Sequence, residues 1–248
     1  MKKTLALISL ILVLAAFLSS CSLIDVVFGP DYKEVTNNIF THYIEMNLAV
    51  KTIHSNVTKQ YESQGSGVIY KEDKTYYYVL TNNHVIKSDS SYPLTSYTIT
   101  DCYGKEYKGT LLHSDPSYDL AVLRIAKSGE NLCVVSFAST TPLKGTDVAN
   151  LGTSNGLINS VTYGEVIGYE PVEIQDKNGN IDDSVSIPVI WHNAPMWGGG
   201  SGSALLNMNM ELVGINFAVA TDDQGRFVCG FAIGISHVRE YLEKNDLM

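Results

Sequence analysis

The stretch Met196-Trp197-Gly198-Gly199-Gly200-Ser201-Gly202-Ser203-Ala204-Leu205-Leu206-Asn207 places a serine inside a glycine cluster and follows it at once with an apolar run. The glycines on both sides of Ser201 let the backbone turn tightly and direct its N–H groups into one small space. A hydroxyl beside such donors suits acyl transfer, because the donors can hold a developing oxyanion. A glycine-rich loop between two strands explains the same stretch equally well, so residues elsewhere in the chain must decide.

Two further polar residues stand in distinctive local contexts. His84 follows Thr81-Asn82-Asn83 at the end of a predicted strand, and Asp119 immediately precedes an apolar run that predicts a buried strand. Each alone fits a structural role at a strand end or a turn. Together with Ser201 they supply a nucleophile, a base for its proton and an acid that fixes the tautomer of that base.

The greater part of the chain predicts short β-strands separated by turns, which indicates an all-β barrel or sandwich. The candidate strands are 49–53, 65–70, 75–81, 97–100, 106–112, 121–125, 134–137, 147–151, 160–169, 187–192, 204–206, 212–217 and 230–235. Helices are predicted only at the two ends, an amphipathic one over 32–46 and a short one near 237–243. The acidic, polar stretch 175–184 predicts an exposed loop.

The N-terminus predicts a secretory leader. Lys2 and Lys3 precede an apolar run, up to Leu18, that is short for a membrane-spanning helix. The run ends at Leu18-Ser19-Ser20-Cys21, which resembles the lipobox of bacterial lipoproteins, so residues 1–20 are predicted to be a lipoprotein signal peptide and Cys21 the lipidated residue. Ordinary signal cleavage and a retained anchor are the alternatives, and each places the rest of the chain outside the cytoplasm.

Charge and cysteine content exclude several functions. The formal net charge is −9, and removal of the leader takes away two lysines and no acids. An acidic surface argues against nucleic acid or an anionic bilayer as electrostatic partners, so membrane attachment would come from the lipid. Cys102, Cys133 and Cys229 form no C-x-x-C pair, which argues against zinc; one disulfide among them is possible and its pairing stays open. We expect no metal and no cofactor.

Three stretches resemble the catalytic signatures of chymotrypsin-fold serine proteases, most closely those of the bacterial HtrA/Deg branch: Thr81–Ile86, Asp115–Ile125 and Gly199–Gly202. Supporting stretches are Val148–Gly152, Val161–Val166, Leu212–Asn216 and Gly230–Ile233. The resemblance covers residues 47–243, without a PDZ domain after them. It implies two six-stranded antiparallel β-barrels with a boundary near 140–147, preceded by a spacer and helix (21–46) and followed by a C-terminal helix and a tail (244–248).

The resemblance also implies catalytic roles. Ser201 would be the nucleophile, His84 the general base and then the general acid, and Asp119 the group that orients and stabilises the imidazolium. The backbone N–H groups of Gly199 and Ser201 would form the oxyanion hole. The implied activity is endopeptidase cleavage through an acyl-enzyme intermediate, in HtrA-like protein quality control or processing.

The same resemblance implies how a substrate is held. Ile215 and Asn216 would pair with an extended substrate through main-chain hydrogen bonds. Met196 and Val219 match positions that line the specificity pocket, and because both are apolar we expect small or medium aliphatic side chains at the cleavage site. The family often forms trimers through its N-terminal segment, and residues 32–46 could serve in that way.

The chain departs from the family at several positions. Gly198 stands where proline is usual, Gly200 where Asn or Asp is usual, and His192-Asn193-Ala194 where Thr-Asp-Ala is often found. Three consecutive glycines predict an oxyanion loop that is loosely held until substrate binds. His192 is predicted to be a surface or edge-strand histidine. The alternative function is a catalytically weak or inactive protease-fold lipoprotein that binds peptides; a phosphate-binding loop is excluded because no lysine follows the glycines.

Overall fold

The computed structural model describes residues 32–175 and 181–248. The predicted leader and Cys21 lie outside these residues, so lipidation stays a prediction. By compactness the chain divides into a short unit that ends at Asn37 and a large unit, Asn38–Met248. In the described part of the chain, no helix combines the length and the apolar character needed to cross a membrane.

The N-terminal segment is helical as predicted, but not as one uniform helix. Helix α1 (Lys33–Asn38) is followed by a π-helical turn (Ile39–Tyr43) and a 3₁₀ turn (Ile44–Met46). Ile39 and Met46 are fully buried.

Six strands form a closed antiparallel barrel in the order β1-β2-β3-β6-β5-β4. They are β1 (Asn47–Ser55), β2 (Gln60–Glu72), β3 (Tyr76–Thr81), β4 (Leu94–Thr100), β5 (Glu106–Asp115) and β6 (Leu120–Ala126). Leu48, Ile69, Val79, Ile99 and Leu123 meet in its core and are fully buried. Closure leaves no unpaired edge around these strands.

The second half contains a sheet in the order β11-β8-β9-β10-β13-β12-β7. The strands are β7 (Ser136–Phe137), β8 (Asp147–Ser154), β9 (Leu157–Gln175), β10 (Ile181–His192), β11 (Ala204–Asn207), β12 (Glu211–Thr221) and β13 (Phe227–Gly234). Because β11 pairs with both β8 and β12, it joins the two ends of a six-strand ring. The six strands of this ring are antiparallel, as expected, but β7 was not expected as a seventh strand and pairs in parallel with β12.

The predicted β fold and every predicted strand are present, with differences at element ends. Of the stretch expected as a loop at 175–184, the described residues, 175 and 181–184, are strand, because β9 and β10 pair up to Gln175 and Ile181; residues 176–180 lie outside the described part. Helix α2 (Asn83–Ile86) was not predicted: β3 ends at Thr81, so His84 lies in α2 rather than at the end of the strand.

The predicted C-terminal helix is confirmed and is longer than expected. Helix α3 runs from Ile235 to Lys244 and buries Ile235, Val238, Tyr241 and Leu242. These residues recur at three- and four-residue spacing, so they form one apolar face.

Candidate active site

Asp119 uses both carboxylate oxygens on His84. Its Oδ1 accepts the His84 backbone N–H at 2.9 Å, and its Oδ2 lies 2.7 Å from His84 Nδ1. The Asp119 side chain is 4% exposed, whereas that of His84 is 33% exposed. Because the carboxylate accepts a hydrogen bond from Nδ1–H, Nε2 is left as the basic nitrogen in the neutral form of the imidazole.

The backbone of Asp119 is held in a conformation that few side chains adopt. Its φ is +50°, in the left-handed region. The carbonyl of Asp119 accepts hydrogen bonds from Asn83 N–H at 3.1 Å and from Asn82 Nδ2 at 2.9 Å. These bonds, together with the two from His84, offset the strain and fix the acid directly beneath α2.

Main-chain hydrogen bonds hold the loop around Ser201 in one shape. Each of the five consecutive carbonyls from Trp197 to Ser201 accepts a hydrogen bond. The donors, in chain order, are Gly200 N–H (2.9 Å), Asn155 N–H (2.7 Å), Ser66 Oγ–H (2.8 Å), Ser203 N–H (3.0 Å) and Ser66 N–H (2.7 Å). These bonds give the loop a defined hydrogen-bonded shape, and the expectation that it tightens when substrate binds stays a prediction.

Some N–H groups of the same loop donate hydrogen bonds and others do not. Those of Gly200, Gly202 and Ser203 donate to main-chain carbonyls. Within residues 32–175 and 181–248, those of Gly199 and Ser201 donate to no protein acceptor. Gly199 and Gly202 have φ values of +88° and +86°, which favour glycine. The turn thus leaves unpaired the two N–H groups that the sequence analysis assigned to the oxyanion hole.

Strand β2 brings the serine loop against the histidine helix. A Cβ placed on Gly65 would lie 2.6 Å from Cγ2 of Val85 and 2.9 Å from the carbonyl oxygen of Ser201. The residue after His84 and the main chain of Ser201 are therefore separated by the width of one glycine. The Ser201 hydroxyl donates to the Phe217 carbonyl at 3.2 Å, and in the described part of the chain it makes no hydrogen bond to His84.

The expectation that Ile215 and Asn216 pair with substrate is wrong, because their main-chain groups are already used within the sheet. Ile215 pairs with Ala204 of β11 and with Ile233 of β13. The N–H of Asn216 donates to the Ser203 carbonyl at 3.0 Å, and its carbonyl accepts from Gly202 N–H at 2.8 Å. Both residues are fully buried.

The open edge of β12 begins two residues later. From Ala218 to Thr221, β12 pairs with β13 alone among the described strands, after a bulge at Phe217. Phe217 also supplies the carbonyl that holds the Ser201 hydroxyl. No local sequence pattern shows that the open edge begins at Ala218 rather than at Ile215, because the position of the edge depends on where the pairing of β11 with β12 stops.

The two residues assigned to the specificity pocket have different surroundings. Val219 is half-buried and lines a cavity of about 400 Å³. The other residues that line this cavity are Pro171, Val172, Glu173, Trp191, Ala218, Ala220 and Phe231. Met196 does not line it; its side chain is buried, and its Cε would lie 3.0 Å from a Cβ on Gly200.

His192 is fully buried, so its prediction as a surface or edge-strand residue is wrong. It ends β10, which pairs with β9 on one side and β13 on the other. Its Nε2 lies 2.8 Å from Asn216 Oδ1. Burial lowers the pKa of His192 to about 4, so the ring is neutral at physiological pH.

The three described cysteines are free thiols, so none of the disulfides left open by the sequence is formed. Burial raises the pKa of Cys102 to about 11 and that of Cys133 to about 12, which keeps both protonated at neutral pH. In the described part of the chain, no three His, Cys, Asp or Glu residues are grouped as metal ligands would be.

Comparisons with known proteins agree with this geometry. The family model described as a trypsin-like peptidase domain matches residues 65–215. The chain is 34% identical over 184 residues to the serine protease Do-like HtrA of Bacillus subtilis, covering 73% of this chain and 38% of that protein. It is 32% identical over 209 residues to the serine protease PepD of Mycobacterium tuberculosis, covering 79% and 44%. The periplasmic serine endoprotease DegP of Escherichia coli is 30% identical over 184 residues, covering 73% and 35%.

Among solved structures, the active form of the Rv3671c protease from M. tuberculosis matches with a TM-score of 0.66 at 25% identity, covering 87% of each chain. This chain spans less than half of the length of the curated relatives named above.

Proposed function

Because the chain belongs to the trypsin-like peptidase family, we propose that it is a serine endopeptidase that acts through an acyl-enzyme on Ser201. One observation carries the proposal: His84, hydrogen-bonded to the Asp119 carboxylate, lies on the helix that meets the serine loop across Gly65, and the Gly199 and Ser201 N–H groups of that loop have no acceptor among the described residues. A base, a nucleophile and two oxyanion donors are the parts that acyl transfer requires.

The proposed reaction begins when the Ser201 hydroxyl leaves the Phe217 carbonyl and transfers its proton to Nε2 of His84. The alkoxide attacks the substrate carbonyl, and the oxyanion accepts the N–H groups of Gly199 and Ser201. His84 then donates its proton to the leaving amine, and Asp119 stabilises the imidazolium that exists between these steps. Water takes the place of the amine for deacylation.

The substrate would bind in an extended conformation along the open edge of β12. From Ala218 to Thr221, β12 pairs with no described strand other than β13, so a peptide could add to the sheet there. The apolar side chain of Val219, which lines the cavity at this edge, would favour small or medium aliphatic residues at the cleavage site; Met196 does not line that cavity. Protein substrates are consistent with the names of the relatives.

We place this activity outside the cytoplasm, in protein quality control or processing. The E. coli relative is named a periplasmic enzyme, and the leader of this chain predicts export. Lipid on Cys21 would anchor the protein to a bacterial membrane, and residues 32–46 could support a homotrimer. The protease domain proposed for this role spans residues 47–243.

A peptide-binding protein with little or no catalysis is the second candidate. The observation in its favour is the Ser201 hydroxyl, which donates to Phe217 rather than to His84. Rotation about the Cα–Cβ bond of this half-buried serine would release its hydroxyl from the Phe217 carbonyl, and such side-chain rotations are fast.

Cleavage of unfolded protein by the chain beginning at Ser22 tests the two candidates. A peptidase cuts reduced casein and a peptide library at defined bonds, Ser201→Ala cuts neither, and Ser139→Ala, at an exposed serine, cuts both. Saturable binding of the same peptides with no cleavage by any of the three proteins would favour the binding function.

A further inference from the structure

His192 crosses one strand to reach another. It pairs with Gly230 of β13, and a Cβ on that glycine would lie 2.4 Å from His192 Cε1 and 2.6 Å from Nε2. The absent side chain at Gly230 is therefore what lets the imidazole lie across β13 and contact Asn216 of β12 at 2.8 Å. His192, Asn216 and their neighbours in this region are shielded from water.

The hydrogen bonds that continue from Asn216 run in one direction. Asn216 Nδ2 donates to Asn150 Oδ1 at 2.9 Å and to Ser203 Oγ at 3.0 Å, and Ser203 Oγ donates to the same Asn150 oxygen at 2.7 Å. Asn216 Oδ1 is thus left as the acceptor that faces His192. The Nε2 of His192 must carry a proton to satisfy it, and the low pKa of the ring leaves it in that neutral, donating form.

The main chain of Asn216 also connects the serine loop to the segment of β12 that leads to its open edge. It exchanges hydrogen bonds with Gly202 and Ser203, the two residues after Ser201. The next residue along β12 is Phe217, whose carbonyl holds the Ser201 hydroxyl. Rotation or displacement of the Asn216 side chain would change the spacing between the nucleophile loop and the open edge of β12.

We propose that His192 is a positioning residue of the active site: its Nε2–H orients the Asn216 amide, which sets Ser201 against β12. This inference rests on the proposed peptidase function for its kinetic consequence, but not for its structural one. Among the described residues the His192 ring makes no hydrogen bond to Ser201 or to residues 218–221, and its hydrogen bond to Asn216 is the route by which we expect it to act.

Three substitutions separate hydrogen bonding from filling of space. In His192→Gln the amide nitrogen lies as many bonds from Cα as Nε2 does, so it can still donate to Asn216. In His192→Asn the amide reaches only as far as Nδ1, and His192→Phe fills the volume with no donor. His113→Phe is the control, because His113 makes its ring hydrogen bond to Tyr241, remote from Asn216.

The first measurement is the second-order rate of labelling by a fluorophosphonate. Since a displacement of about 1 Å costs on the order of a hundredfold in rate, we expect about tenfold or greater slowing in His192→Phe and His192→Asn. His192→Gln and His113→Phe should stay within about threefold of the unsubstituted chain. Equal slowing in the Gln and Asn variants, or wild-type rates in all four, would overturn the proposal. If the Phe variant does not fold, the Gln–Asn comparison decides.

The second measurement needs no catalysis. Amide hydrogen exchange at Gly202 and Asn216 reports the main-chain bonds that Asn216 makes, and we expect it to quicken about tenfold in the Phe and Asn variants and little in the Gln variant. Unchanged exchange in all variants contradicts the positioning role. If the unsubstituted chain is never labelled, the peptidase function fails, while the exchange data still decide the role of His192.

Discussion

The two halves of the site are built from different chemistry. The half from the first barrel centres on a charged group, Asp119, whose partner His84 remains open to solvent on one side. The half from the second barrel has no charged side chain in its network: the neutral groups of His192, Asn216, Ser203 and Asn150 are buried behind the serine loop. Each half contains a histidine, His84 in α2 and His192 at the end of β10, and the partner group separates their roles, an acid for His84 and an amide for His192.

This difference follows from the cost of burial. A histidine that must gain and lose a proton needs access to substrate and an acid to stabilise its charged form. A histidine sealed in the interior is kept neutral by desolvation and can serve as a hydrogen-bond donor whose state does not change during turnover. The comparison can be tested by changing each partner in turn.

The largest effect is expected from Asp119→Asn in the charged half. An amide has one acceptor oxygen, so it cannot accept hydrogen bonds from both the backbone N–H and the Nδ1–H of His84 and still hold the imidazole tautomer in which Nε2 is basic. The acylation rate should therefore fall by about 10⁴-fold. Stopped-flow labelling measures this rate. Asp115→Asn, at a neighbouring turn acid that accepts from Ser117 N–H, is the control, and comparable rates in the two variants would remove the special role of Asp119.

Asn216→Asp gives His192 an acid partner, as His84 has in the first half of the site. It removes the Nδ2 donors to Asn150 and Ser203 and buries a carboxylate beside His192, so the free energy of unfolding should drop by about 3 kcal/mol. The pKa of His192 should rise, because an acid now faces it. Denaturant unfolding and NMR titration measure the two effects, with exposed Asn209→Asp as control. A stable variant with an unshifted His192 would show that the amide is not required.

A smaller effect is expected from acid on the neutral half. The pKa of His192 is about 4 in the folded chain, whereas the ordinary pKa of a histidine is 6.5, so the unfolded state binds the extra proton between these pH values. The stability that the neutral ring provides is complete above pH 6.5 and is lost as pH falls towards 4, by at most about 1.4 kcal/mol per pH unit. Unfolding curves of the unsubstituted chain and His192→Gln should diverge over this window; parallel curves would contradict the burial of a titrating ring.

The smallest effect is expected from Gly198→Ala. No atom lies within 4 Å of a Cβ at this position, and its φ is not in the left-handed region, whereas Gly199 has a φ of +88° and would place a Cβ 2.8 Å from the Thr153 carbonyl. Alanine at 198 should therefore leave labelling within about twofold and add a few tenths of a kcal/mol of stability. Gly199→Ala is the contrasting variant. Thermal unfolding that shows equal losses in both would mean that loop flexibility, not these contacts, controls the site.

Local patterns in the sequence were enough to predict the strands and to bring together His84, Asp119 and the Ser201 loop. Alternating and β-branched runs predict strands because each strand has at least one buried face. The proposed catalytic roles came from the distinctive stretch around each residue and from the resemblance of these stretches to a protease family.

Pairing register and bulges could not be predicted in the same way. Ile215 and Asn216 were assigned to substrate because nothing local shows that β11 already occupies that part of β12. The burial of His192 was missed because a register shift between Trp191 and His192, which changes the face on which the histidine lies, cannot be recognised in the sequence. The buried network behind the serine depends on three strands, β8, β10 and β12, and on Ser203 just before β11, and no local pattern reports their proximity.

Intact-mass measurement after incubation with a fluorophosphonate tests whether Ser201 is an activated nucleophile. We expect one adduct per chain, located by fragmentation on Ser201, formed far more slowly in Asp119→Asn and absent from Ser201→Ala. An unmodified chain after prolonged incubation with excess reagent, or an adduct that persists in Ser201→Ala, would contradict it.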